Sequence, residues 1–372
     1  MFSEKRRTKL FIMKKIFTLF ALVAGILLTG ASCIQLGGTP AGTMGVFRSN
    51  DKGDTWASAS AVPTAQGVKS ISGVNVFRLH TDPSDPNAIY LASRGQGLEY
   101  TYDYGASWRV VDVLGGKFIY GLAVDPANKC TIYVTDGANI YKTTDCSRTW
   151  KLIYSEQRPD QRFVSLAIDF GNSKLIYGGI TGGDVLVSND AGLSWRVVKR
   201  FGFELQFLAT DPSTPKRLYA ATQRNGLFRS DDGGENWIDL NTNLDKFNES
   251  KTFYRLVLNP GQKDSLFWIS KYGVLRSDDA GQNWTELKLI TPPGSVNIYA
   301  FAINPDNQKE IYYTGTILGE KSENIRSTFY KSVDGGNNWV TKKLPSSAVP
   351  TYLLINPLNS SQLMLGFMNL VQ

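Results

Sequence analysis

The sequence predicts an all-β fold: a seven-bladed β-propeller of four-stranded antiparallel blades, with the ring closed by N- and C-terminal strands that share one blade. Three observations carry this. An eight-residue pattern, Ser/Thr-x-Asp-x-Gly-x-x-Trp, recurs seven times. Strand-like segments recur in fixed order around each copy. The repeat also starts and stops out of phase, as a closed ring requires. Four short strands per ~40–50 residues is the signature of a propeller blade.

The copies are SNDKGDTW, TYDYGASW, TTDCSRTW, SNDAGLSW, SDDGGENW, SDDAGQNW and SVDGGNNW, starting at Ser49, Thr101, Thr143, Ser188, Ser230, Ser277 and Ser332. Their Asp/Trp pairs are Asp51/Trp56, Asp103/Trp108, Asp145/Trp150, Asp190/Trp195, Asp232/Trp237, Asp279/Trp284 and Asp334/Trp339. Starts lie 52, 42, 45, 42, 47 and 55 residues apart. The chain has eight tryptophans, and seven are spent here. Each box suits a tight, self-supporting turn. The Asp side chain can accept hydrogen bonds from nearby backbone N–H groups. The Gly permits a positive φ. The Trp is an apolar plate that can pack the turn onto its sheet. The third copy has Ser147 in place of Gly.

A short strand precedes each box: GVFRS, GLEYT, NIYKT, DVLVS, GLFRS, GVLRS and TFYKS. Before it comes a second: AIYLAS, TIYVTD, LIYGGI, RLYAAT, SLFWIS, EIYYTG and QLMLGF. Earlier still lies an apolar strand ending in Asp or Asn: FRLHTDP, YGLAVDP, VSLAIDF, QFLATDP, YRLVLNP, YAFAINP and YLLINP. The fourth strand follows the Trp, as at Arg109-Val110-Val111. The repeat opens at Gly45 on a third strand and closes at 362–367 on a second strand. One blade must therefore combine both chain ends, which removes the exposed sheet edges.

The N-terminus reads as a targeting segment. Lys14 and Lys15 precede a 13-residue apolar run, 16–28, short for a membrane span and right for a signal peptide. Thr29-Gly30-Ala31-Ser32-Cys33 follows and resembles the lipobox of bacterial lipoproteins, with Gly30 where a bulky aliphatic is usual. The expected organisation is a lipoprotein-type signal peptide over 1–33 with lipidation at Cys33, a flexible tether over 34–44, and the propeller over 45–372. Either Met1 or Met13 can serve as the start. The expected location is the bacterial cell envelope, outside the cytoplasm; secretion or a periplasmic location after cleavage near Ala31 is the alternative. Cys130 and Cys146 fall opposite each other at the open end of one strand–turn–strand unit, and an exported chain permits a disulfide there.

Composition removes several function classes. The formal charge is +7, but residues 1–33 hold six basic residues against Glu4, which leaves 34 basic and 32 acidic residues, or +2, in the rest. A nearly neutral body is not a phosphate-backbone binder, so no nucleic-acid partner is expected. One histidine excludes multi-His metal sites. The Asp-rich boxes lack the alternating ligands and closing Glu of calcium loops. No metal and no cofactor are expected.

The boxes and their strand order make the chain resemble Asp-box (bacterial neuraminidase repeat) propellers over 45–372. This group includes sialidases, xyloglucan-degrading glucanases, the sortilin ectodomain and photosystem II stability/assembly factor-like proteins. Box number, size and export signal fit the last best. The resemblance implies that the boxes are structural and lie away from the ligand face. That face is then built from the strand two-to-three turns and the links between blades. The longest such segments are 57–75, 241–252, 287–297 and 314–327.

Binding residues concentrate on loops carried by a rigid scaffold. The ligand-face candidates are Arg94, Tyr120, Arg162, Arg224, Tyr254, Arg255 and Tyr299; each position also suits a solvated loop side chain or an aromatic packed between blades. No catalytic residue is assigned. The expected function is a non-catalytic binding or assembly scaffold for an envelope protein or glycan, acting as a monomer on a lipid anchor. The alternatives are a glycoside hydrolase, sialidase- or xyloglucanase-like, and a lectin-like glycan binder. Phe77-Arg78-Leu79-His80 is similar to the sialidase Phe-Arg-Ile-Pro motif, but His80 replaces Pro and Tyr254-Arg255-Leu256-Val257 repeats the same phase. Asp184, Glu204 and Glu320 lie near the ligand face, unpaired in sequence. Xyloglucan-degrading relatives normally set two propellers across a cleft, and this chain holds one.

Overall fold

The structure, a computed structural model, describes residues 43–320 and 324–370. The expected signal peptide, Cys33 and all but the end of the tether lie outside the described residues. Seven four-stranded antiparallel sheets follow one another. Blades one to six span 76–110, 121–155, 163–200, 205–239, 253–286 and 301–342. The seventh is composite. It takes strands one and two from Val349–Ile355 and Leu363–Met368, and strands three and four from Gly45–Ser49 and Ala57–Ser58. Gly45 pairs with Phe367 and Ser49 with Leu363, so the chain ends zip together along a full strand.

The repeated turns owe their shape to their own side chains. In the composite blade, Ser49 Oγ donates to Asp51 Oδ1 at 2.7 Å and accepts from the Gly53 N–H at 2.8 Å. Asp51 also accepts from the Thr55 N–H and hydroxyl at 2.8 and 2.5 Å. The same clasp recurs from Asp103 to Ser107, Asp145 to Thr149, Asp190 to Ser194, Asp232 to Asn236, Asp279 to Asn283 and Asp334 to Asn338. Hydrogen bonds from Thr149 and Ser194 hold the Asp145 and Asp190 carboxyls down to about 2. The pattern's glycine takes a positive φ in six turns. In the third, Ser147 is forced to φ 67°, with its buried hydroxyl unpartnered. A side chain in that region costs about 1 kcal/mol or more. The neighbouring Cys146 is bonded to Cys130, Cα to Cα 3.9 Å, across the open end of that hairpin.

The structure extends the expected role of the box tryptophans. A plate that only seats its own turn on its own sheet would leave the blades independent; here each plate also packs against the preceding blade. Seven buried clusters are found among the described residues, and each holds one box tryptophan. Trp108 of blade one lies with Val46 and Met364 of the composite blade. Trp150 lies with Tyr90 and Leu98 of blade one, and Trp195 with Tyr133 and Ile140 of blade two. Trp237 lies with Tyr177 and Val185 of blade three, and Trp284 with Tyr219 and Leu227 of blade four. Trp339 lies with Phe267 and Ile269 of blade five, and Trp56 with Tyr312 and Phe329 of blade six. The ring is thus cemented by seven inter-blade cores, and two of them exist only because the chain ends meet.

The seven plates are also not equally sunk. Trp108 and Trp284 are buried, whereas Trp56, Trp150, Trp195, Trp237 and Trp339 keep one edge at the surface. Their indole N–H groups differ as well. Those of Trp195, Trp237 and Trp339 donate back to the turn carbonyls of Gly192, Gly234 and Gly336 at 3.2, 2.8 and 3.1 Å. The Trp339 N–H also reaches the Lys288 carbonyl of blade five's exit segment at 3.0 Å. Trp108 donates to the Ala59 carbonyl at 2.7 Å, while Trp284 Nε1 is buried without a hydrogen-bond partner. The repeat therefore fixes the position of the plate, and the neighbouring blade decides how deep it sits.

Two expected loops are partly sheet. Residues 57–75 contain an extra hairpin, Ala61–Thr64 with Gly67–Ser70. Residues 314–327 extend a long hairpin made by Ile311–Leu318 and Asn324–Ser332. Segment 241–252 carries a helix, Asn241–Leu244, and Asn241 Oδ1 accepts from the Leu227 N–H at 2.9 Å.

Candidate functional site

First strands of neighbouring blades touch along most of the ring, so they line the axis. Aligning these strands on their Asp/Asn end places Arg78, Gly121, Ser165, Phe207, Arg255, Ala300 and Tyr352 at one phase. A register shift directly precedes this position in five blades, at Val76/Arg78, Phe163/Ser165, Leu205/Phe207, Phe253/Arg255 and Pro350/Tyr352. Such bulges re-aim a side chain. The next phase toward the boxes holds His80, Ala123, Ala167, Ala209, Val257, Ala302 and Leu354. Three small residues in the first ring leave room for its four large ones. At Gly121 a Cβ would sit 2.9 Å from the Leu166 backbone nitrogen, so the blades approach closely there.

The large residues enclose a cavity of about 90 Å³ lined by Arg78, His80, Phe207, Phe253, Tyr254, Arg255, Leu256 and Tyr352. These come from four blades, so the cavity crosses the axis. Arg78 lies between two phenyl rings, 4.8 Å from the Phe77 centroid and 4.9 Å from that of Phe207. Its hydrogen bond to the Tyr120 carbonyl, from Nη1, is a long one at 3.5 Å. Arg255 lies over the Tyr352 ring at 3.8 Å and donates from Nη2 to the Thr351 carbonyl at 2.7 Å. Its Nε is buried without a hydrogen-bond partner, as is His80 Nε2. Burial and the nearby Arg255 charge push Arg78 down to about 10. Burial and both arginines push His80 down to about 3, which keeps its imidazole neutral. None of the lining residues is acidic.

Around the cavity mouth the expected candidates fall into groups. Tyr120 stacks on Phe118 at 4.0 Å, and Phe118 meets Phe77 edge-on at 5.0 Å. Exposed Arg162 donates to the Tyr120 hydroxyl at 3.1 Å, while the half-buried Arg94 pairs through its backbone with Phe118. The Tyr254 hydroxyl donates to Asn297 Oδ1 at 2.6 Å, and its ring lies 5.4 Å from Tyr299. Burial raises the Tyr299 phenol to about 12. Arg255 enters the axial cavity. Arg224 stands apart, in an open concavity with Glu204, Gln206, Gln223 and Asn225.

The three acids near this face do not converge. Asp184 is tied to Arg158 at 2.7 Å and Arg200 at 3.7 Å. Glu204 accepts from Gln206 at 2.6 Å, and Glu320 is exposed on the long hairpin. The sequence reading missed Arg78, His80, Phe207 and Tyr352 as site residues. Their signal was available: charged or aromatic residues at two successive same-face phases of strands that are otherwise largely apolar.

Comparisons with known proteins agree with this architecture. A xyloglucanase from a Paenibacillus species is 30% identical over 242 residues, 52% of this chain and 23% of that protein. Xyloglucanase Xgh74A from Acetivibrio thermocellus is 28% identical over 243 residues, 52% of this chain and 28% of that protein. The matched part of the chain thus spans about a quarter of these relatives. Among solved structures, the GH74 xyloglucanase from Xanthomonas campestris superposes with a TM-score of 0.61 at 16% identity, over 79% of this chain and 51% of that one. YCF48 bound to a D1 peptide superposes with a TM-score of 0.58 at 16% identity, over 84% and 95%. At such identities the structures speak for fold alone. A family model described as the DUF6242 beta propeller domain matches residues 121–360, well over half of the chain, and the protein belongs to that family.

Proposed function

We propose that this chain is a non-catalytic binding propeller of the bacterial cell envelope, exported and anchored through an acylated Cys33. It engages a partner with the face that carries the axial mouth. The observation behind this reading is the mouth itself: arginines and stacked aromatics with no carboxylate in the cavity. Cleaving a glycosidic bond takes two carboxyl groups about 5–10 Å apart. Arginine and aromatic side chains are the groups that dominate binding surfaces. A second reading, a divergent xyloglucan hydrolase, draws support from the curated relatives that match this chain. An envelope protein is the first partner class and a glycan the second.

Affinity capture from membrane extract tests the reading. Wild-type bait is compared with a bait carrying Arg162→Ala and Arg224→Ala, both exposed. The expected result is a stoichiometric partner lost with the altered bait, and loss of membrane association when the strain carries Cys33→Ala. Identical recoveries from both baits would contradict the assigned face.

A further inference from the structure

The axial cavity presents a charge imbalance that the chain does not resolve. Buried charges in folded proteins are normally paired, because desolvation without a partner is costly. Here two half-buried guanidinium groups share one small cavity with a neutral histidine and aromatic walls. Elsewhere the described arginines often find acids: Arg158 takes Glu156 and Asp184, and Arg217 takes Asp211, Asp231 and Asp264. Arg78 and Arg255 meet carbonyl oxygens, ring faces and the Tyr352 side chain instead. Two further nitrogens, Arg255 Nε and His80 Nε2, are buried without hydrogen-bond partners.

We propose that the axial cavity is an oxyanion site that takes a phosphate-class dianion, as the free ion or as the phosphoryl group of a larger ligand, between Arg78 and Arg255. The inference rests on reading this mouth as the ligand face. Charge fixes the class, since two guanidinium charges are balanced by about two negative ones at pH 7. Size permits it: about 90 Å³ has room for a tetrahedral oxyanion. Geometry agrees too. A guanidinium held flat against a ring keeps its N–H edge free for bidentate donation to oxyanions. Phe207 and Tyr352 lie 4.9 and 3.8 Å from the Arg78 and Arg255 guanidinium carbons and back them. A neutral His80 can give or accept one more hydrogen bond.

The chain has a single histidine, so the His80 imidazole resonances report on this cavity alone. The isotope-labelled full chain is titrated at pH 7 and fixed ionic strength with inorganic phosphate, with acetate and chloride as controls. The expected result is a saturable shift of the His80 signals with phosphate only. In its presence the His80 protonation midpoint should move upward, because the dianion offsets the two guanidinium charges. Arg78→Gln and Arg255→Gln are each expected to weaken the response about tenfold or more. Arg255→Lys keeps the charge but not the fork and should fall between. Arg148→Gln, at a turn on the opposite face, should change nothing. If a glutamine variant does not fold, the lysine variant carries the comparison. A response to glycerol phosphate as well as to phosphate assigns a phosphoryl group, and a response to phosphate alone assigns the free ion; both uphold the site. No saturable shift, an equal response to acetate or chloride, or indifference to the arginine variants would overturn it. A His80 response with no captured partner retires the partner reading alone. A captured partner with a silent His80 retires the anion alone.

Discussion

Deleting residues 363–372 is expected to abolish cooperative folding of the whole ring, not merely to fray one blade. Leu363–Met368 is the second strand of the composite blade, hydrogen-bonded on both sides to strands from opposite ends of the chain. Leu363, Met364, Leu365 and Phe367 are fully buried and Met368 nearly so. Burying such side chains contributes about 2 kcal/mol each, so roughly 10 kcal/mol of apolar contact is at stake. Whole domains are stable by about 5–15 kcal/mol. The loss also opens both inter-blade cores that hold Met364 and Phe367, those of Trp108 and Trp56. Urea unfolding followed by tryptophan fluorescence checks this. A cooperative transition with an unchanged slope in the deletion variant would show that the blades stand without closure.

Glu99→Gln is expected to stabilise the protein in alkaline buffer by a few kcal/mol. Glu99 sits on the third strand of blade one, 2% exposed, with Oε2 unpartnered. Burial alone pushes its carboxyl up to about 8. The sign follows from where each state holds the proton. Below about 4.5 both folded and unfolded chains are protonated here, and the residue makes no pH-dependent contribution. Between about 4.5 and 8 the unfolded chain ionises while the folded chain keeps its proton, so stability falls as pH rises. Above 8 the penalty is constant, and glutamine removes it. His80 acts in the opposite sense at the acid end: its folded-state value of about 3 makes stability fall as pH drops from about 6.5. Melting curves of wild type and Glu99→Gln at pH 5 and pH 9 check the claim. A gap that does not widen at pH 9 would mean that Glu99 has a partner or reaches water.

The propeller was legible in the sequence because each blade repeats its own chemistry. The Ser49–Asp51–Gly53–Thr55 clasp needs only local residues, so its spacing survives in the sequence. Closure was legible from phase alone, since Gly45 starts on a third strand. The role of the tryptophans was only half legible. A plate beside a turn is a local idea, whereas the packing of Trp150 on Tyr90, Trp195 on Tyr133 or Trp284 on Tyr219 depends on how blades meet. The site was the least legible part. Arg162 and Tyr120 fall together through one hydrogen bond of 3.1 Å. Arg78, Phe207 and Tyr352 lie on strands that read as ordinary core, separated by more than a hundred residues, and a bulge before each decides that it turns to the axis. Residues 57–75 and 314–327 read as loops because their hairpins carry Thr, Ser and Gly instead of an apolar alternation.

We propose that this face binds and does not cut. The most direct measurement is release of reducing ends from xyloglucan and xyloglucan oligosaccharides by the purified chain, beside an active GH74 enzyme at equal concentration. The expected result is no release above the blank at any pH between 4 and 9. Sustained release that is lost on replacing Asp184, Glu204 or Glu320 by its amide would contradict it and return this propeller to the hydrolases.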